Sequence, residues 1–236
     1  MASSQRKFHT LPVLVPVLFA VALCAQIVFH WQIQEPQANA EELPIPPAVS
    51  MLNFVSLSES TTFARILMLW LQAFDNQPGI SIPFQDLNYD VVEAWLSTII
   101  ELDPGGQYPL LAASRLYAEV NMEQKQRKML DFVARRFEED PAKRWPWLAH
   151  AVVIAKHRIK DTKLALKYAQ LLSVNSSVNG IPGWARQMEI FIREDMGEYQ
   201  AAQILIGGLL SSGVVTDPYE KHFLQQRLDE LANKEK

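Results

Sequence analysis

Tyr108-Pro109-Leu110-Leu111-Ala112, Trp145-Pro146-Trp147-Leu148-Ala149 and Ile181-Pro182-Gly183-Trp184-Ala185 share one pattern: a bulky residue, proline, a variable residue, a second bulky residue, then alanine. With Pro218 the four prolines fall 37, 36 and 36 residues apart, and each opens an apolar stretch of helical period. Proline suits the first position of a helix, where its missing N–H would have no intrahelical partner and its fixed φ fits the first turn. The period therefore reads as a count of helix starts. Repeats of this length stack so that each unit buries its apolar face against its neighbours, which predicts an all-α, helical-hairpin solenoid.

Working outward from these segments, the periodicity predicts helical hairpins at 60–74 with 88–102, 109–120 with 123–138, 146–157 with 161–172, and 182–195 with 198–210. Asp75-Asn76-Gln77-Pro78-Gly79 stops the first helix. A last helix from Pro218 to Ala232, capped by Asp217, carries Glu220, Lys221, Arg227, Asp229 and Glu230 and suits a terminal helix with one solvated face. The domain reading is a cytoplasmic N-terminus at 1–10, a transmembrane anchor at 11–30, a linker at 31–50 and the solenoid with its capping helix at 51–236.

The anchor rests on Leu11 to Phe29, an uncharged run whose one polar side chain is Gln26. About twenty such residues are what a helix needs to cross the hydrocarbon core. Arg6 and Lys7 precede the run, whereas Glu35, Glu41 and Glu42 follow it and no Lys or Arg occurs before Arg65. That asymmetry predicts a cytoplasmic N-terminus and an exported remainder, in a bacterial inner membrane with the solenoid in the periplasm. Ala38-Asn39-Ala40 fits a small-x-small cleavage site, but the apolar run is longer than that of an ordinary signal peptide, so retention as an anchor is the reading taken. Val21-Ala22-Leu23-Cys24 departs from a lipoprotein box at Leu23. Pro36, Pro44, Pro46 and Pro47 predict an extended linker that holds the folded part off the membrane.

Several local motifs resemble the tetratricopeptide repeat. Gly197-Glu198-Tyr199-Gln200-Ala201-Ala202 is similar to its glycine, aromatic, alanine turn, and Ile100-Glu101-Leu102-Asp103-Pro104 to its usual ending. Trp145, Leu148 and Ala149 match the pattern of its first helix, and Ala165 the alanine of its second. The resemblance covers roughly 60–215, with a period two to three residues longer than the family's 34. An anchor followed by exported repeats is similar in layout to the ancillary subunit of the bacterial Sec translocon and to other envelope assembly factors. It implies a TPR-like solenoid in which the first helix of each pair lines a concave, protein-binding groove.

On that register His150 and Arg186, then His157 and Arg193, recur 36 residues apart, with Tyr117 and Glu189 on or beside the same line. Residues seven apart in one helix share a face. The expected site is a mildly basic groove for a protein partner offering an acidic or C-terminal peptide segment, because guanidinium groups bind carboxylates bidentately. Arg144, Trp145 and Trp147 form a second candidate, an aromatic rim, whereas Trp70, Trp95 and Trp184 read as packing residues.

Chemistry is not predicted. His150 and His157 lack a third metal ligand, no Gly-rich phosphate loop precedes a helix, and the serines have no triad context, so neither a catalytic residue, a metal nor a cofactor is expected. A net charge of −4 without a concentrated basic face argues against nucleic acid. The expected function is a membrane-anchored scaffold or chaperone-like assembly factor. Two other readings are an accessory subunit held in a complex through its membrane helix, and an envelope enzyme using the groove.

Overall fold

The computed structural model describes residues 12–32, 40–175 and 180–234. It divides into a unit of Met1–Ala40 with Pro78–Ile80 and a unit of Glu41–Gln77 with Ser81–Lys236. The first contains α1, Leu14–Gln32, whose described side chains are all exposed. Its Leu14–Trp31 stretch is long and apolar enough to cross a membrane. Pro16 falls in its first turn, where no intrahelical N–H is required. Gln26 and Phe29 lie on this helix, and Leu11 is outside the described residues.

The second unit is almost wholly helical. Its elements are α2 (Val49–Val55), α3 (Ser60–Ala73), α4 (Tyr89–Leu102), α5 (Tyr108–Arg115), α6 (Glu123–Phe137), α7 (Pro141–Ile154), α8 (Thr162–Val174), α9 (Gly183–Arg186), α10 (Met188–Asp195), α11 (Tyr199–Ser211) and α12 (Pro218–Lys234). Consecutive helices pair, α3 with α4, α5 with α6, α7 with α8 and α10 with α11. Each pair also packs on the next, through α4 on α5, α6 on α7 and α8 on α10. One apolar core runs from Leu43 to Ile192 and includes Leu96, Leu130, Phe137, Leu148 and Leu172. A smaller one, with Ile206, Leu224 and Leu231, joins α11 and α12.

Most predicted boundaries lie within two residues of the observed ones, because local chemistry marks them. Asn88 caps α4 by accepting from the Asp90 amide at 3.0 Å, and Asp161 caps α8 by accepting from Leu164 at 2.9 Å. Gly197, at φ 76°, turns the chain from α10 into α11.

The third first-helix is a correction. α7 begins at Pro141, not Pro146, because Asp140 accepts from the Lys143 amide and Pro141 already occupies the first turn. Pro146 lies inside the helix and cannot donate to the Ala142 carbonyl four residues back. Gly180, at φ 104°, approaches that carbonyl so closely that a Cβ there would lie 3.2 Å from its oxygen. The repeat in the sequence therefore does not count helix starts. What recurs in space is the alanine three residues on, since Ala112, Ala149 and Ala185 are all buried. The prolines differ: Pro109 is in the first turn of α5, whereas Pro182 precedes the short α9, which breaks at Gln187 before α10.

The linker is corrected in its second half. Residues from Glu41 onward are docked: Gln77 exchanges two hydrogen bonds with the Glu41 backbone at 2.8 and 2.9 Å, Leu43 is buried, and Trp95 Nε1 donates to the Pro44 carbonyl at 2.6 Å. The chain then forms α2, which packs on α4 through buried Leu52.

Gly180→Ala should lower the unfolding free energy by about 1–3 kcal/mol, because it combines a disfavoured φ with a backbone clash. Urea unfolding of the full chain in mild detergent, followed by circular dichroism, measures it; an unchanged midpoint would remove the close-approach argument.

Candidate partner-binding surface

The surface with the most convergent polar chemistry is formed by α5, α7 and the turns that follow them. Residues of α7 and its continuation spaced by three and four, Trp147, His150, Val153 and His157, are half-buried or exposed on one side of the helix, while Leu148, Ala151 and Val152 point into the core. At its C-terminal end α7 widens into a π-turn, Ala155–Ile159, closed by Lys160 in the left-handed region and by the Asp161 amide donating to the Ala155 carbonyl. The widened turn carries Lys156, which pairs with Asp195 of α10, and the exposed His157 and Arg158.

α5 supplies the facing groups. Trp147 Nε1 donates to Gln107 Oε1 at 2.8 Å, and the Tyr108 hydroxyl donates to Gln72 Oε1 at 2.6 Å. Arg115, in the last turn of α5, is exposed, and no ion pair holds it among the described residues. Its charge reaches His150: burial holds the imidazole pKa below its ordinary 6.5 and Arg115 pushes it lower, with Glu119 opposing. The Nε2 of His150 is buried without a hydrogen-bond partner. Glu119 is itself engaged by Arg158, whose guanidinium donates to its carboxylate at 2.7 Å and to its backbone carbonyl. Arg158 thus holds Glu119, while Arg115 and Glu119 act oppositely on His150.

The predicted stripe is only partly brought together. His150 is half-buried on α7, and His157 is exposed on the π-turn that follows it. Tyr117 does not join them: it is completely buried in the turn after α5, edge-on to Phe84 at 5.6 Å and Tyr89 at 6.2 Å, and burial pushes its hydroxyl pKa up. Glu189 is also buried, and it accepts from Arg193 at 2.8 Å. Arg193 in turn binds Glu198 at 2.7 Å, so this arginine and its carboxylates close on each other and add no open positive stripe. Arg186 is half-buried at the end of α9. The break at Gln187 separates it from Arg193, so the two do not continue the His150–His157 line.

The aromatic rim changes as well. Arg144 is 3% exposed and structural: it donates to the carbonyls of Arg136 at 2.6 Å and Pro104 at 3.2 Å and pairs with Glu139 at 2.6 Å. Burial works against the Glu139 charge, but hydrogen bonds from Arg144 and Arg136 prevail and hold its carboxyl below its ordinary range. Trp145 and Trp147 are half-buried. Trp184, expected to pack, is more than half exposed and meets Trp145 edge to face at 5.4 Å.

Arg115, Glu119 and Arg158 were missed by the sequence reading. The available signal was the helical spacing of Tyr108, Leu111 and Arg115, which puts all three on one side of α5. No protein-family model, no curated protein and no solved structure matches this chain.

Arg115→Glu should raise the His150 midpoint, read by NMR titration of the imidazole; a midpoint that stays put would show that Arg115 does not reach it. Because folding depresses this pKa, the unfolded chain binds the proton more readily. Stability attached to His150 is therefore fully present above about 6.5 and is lost as pH falls through the folded value. His150→Gln should flatten that acid loss.

Proposed function

We propose that this chain is a membrane-anchored protein-binding scaffold or assembly factor, and that its helix pairs form a TPR-like solenoid. The observation that carries the reading is a succession of helix pairs, each packed on the next, in a chain that also has a helix of membrane-spanning length. Such stacks present long side-chain surfaces to other polypeptides. The chemistry at α5 and α7 favours a partner segment rich in carboxylates. Arg115 offers an exposed fork for bidentate binding, with His150 within reach of its charge. In this reading the protein is not an enzyme, and partner binding needs no cofactor.

The charge asymmetry about the apolar run supports a bacterial inner-membrane protein with a cytoplasmic N-terminus and a periplasmic helical domain.

A photocrosslinking residue in place of Val153 or His157 in intact cells should capture one protein reproducibly, and the same residue at exposed Lys163 on α8 should not. Binding of the captured partner to the full chain should weaken as salt rises, because exposed charge pairs are screened. Equal capture at all three positions, or binding indifferent to both salt and Arg115→Glu, would overturn the assignment of this surface.

A further inference from the structure

The two ends of the helix stack are finished differently. α12 exposes Lys221, Asp229, Glu230 and Lys234, a charged outer face of the kind a terminal helix needs in water, while its Glu220 and Arg227 pair inward with Gln187 and Glu194. The opposite end has almost no charge: between Leu43 and Phe74 the charged residues are Glu59 and Arg65. α3 packs on α4 through Ala64, Met68 and Leu71, yet its other side is also apolar. Ile66 and Leu69 are 55% and 61% exposed, on a stripe with Thr62 and Ala73. Phe54 of α2 is 82% exposed. Leu57, in the turn between the two helices, is 83% exposed at φ 50°, and Ser58 follows at φ 75°. A leucine in the left-handed region is costly, and here it gains no burial in return. Large apolar side chains exposed together at the end of a stack call for a cover.

We propose that this cover is the lipid bilayer: the outer sides of α2 and α3 lie in the membrane interface, so that the folded unit rests on the membrane and is not held away from it. This inference rests on the anchoring part of the functional reading and not on its protein-binding part. Three observations select lipid over a protein partner. The first is the tether. Eight residues, 33–40, join the end of α1 to Glu41, and no conformation of eight residues spans more than about 30 Å. The second is the point of attachment, since the bonds of Glu41 to Gln77 and of Pro44 to Trp95 fasten the chain directly to the α3–α4 pair. The third is composition: the exposed side of α3 offers Ile66 and Leu69 with Trp70 at its edge, and Arg65 is the one cation of α3 that can extend toward lipid phosphate.

The test uses the full chain with Cys24→Ser, which removes the one native thiol. Leu18→Cys, Ile66→Cys, Leu69→Cys and Lys163→Cys are introduced singly and labelled with bimane. Each chain is reconstituted into phosphatidylethanolamine–phosphatidylglycerol vesicles with and without brominated acyl chains. Brominated lipid should quench bimane at 18, 66 and 69 and leave 163 unchanged. Adding Leu69→Glu to the Ile66→Cys chain should abolish quenching at 66 while quenching at 18 persists, with circular dichroism confirming that the helices are retained. Quenching at 18 without quenching at 66 or 69 overturns the proposal and leaves the anchor intact. Blue-shifted but unquenched emission at 66 and 69 also overturns it, in favour of a covering protein or a second copy. No quenching at 18 removes the anchor itself and the inference with it.

Discussion

The arrangement depends on how closely neighbouring helices approach. Ala112, Ala113, Ala149, Ala151, Ala165, Ala169, Ala185 and Ala202 are all buried. Alanine at these contacts lets backbones come together while the larger Leu148, Leu172, Phe132 and Phe137 fill the spaces beside them. Consecutive helix pairs share one apolar core from Leu43 to Ile192, so each pair is held largely by its contacts with the next.

Polar groups inside this packing act as fasteners. Arg144 joins the end of α6 to the loop before α5 through the carbonyls of Arg136 and Pro104. Arg227 of α12 reaches back to the buried Glu194 of α10. Tyr89 and Tyr168 place their hydroxyls on the Tyr117 carbonyl and on Asp131. Breaking such a pair strands a buried partner and costs far more than losing an exposed pair. Arg115 stands outside this network among the described residues.

Pro146 shows how a local signal is overridden. The same residue pattern recurs at Pro109, Pro146 and Pro182, yet the first is in an opening turn, the second lies inside a helix and the third stands before one. Asp140 and Pro141 supply an earlier start for α7, and Gly180 comes up against the Ala142 carbonyl, to which Pro146 cannot donate. The break at Gln187 has the same consequence further along, because it interrupts the 36-residue register on which a continuous basic stripe would depend.

Helix identity, most helix ends, the apolar run at the N-terminus and the periodic alanines were determined by sequence alone, since caps, turn glycines and apolar spacing act within a few residues. Which charges remain open was decided only by tertiary structure. Arg193 and Arg144 are indistinguishable from Arg115 in one dimension, but Arg193 pairs with the buried Glu189 and with Glu198, Arg144 is itself buried on Glu139 and two carbonyls, and among the described residues no carboxylate holds Arg115. The docking of residues 41–48 and the uncovered apolar sides of α2 and α3 were equally invisible, because burial is settled by what stands opposite a residue, and that is fixed by the packing of distant segments.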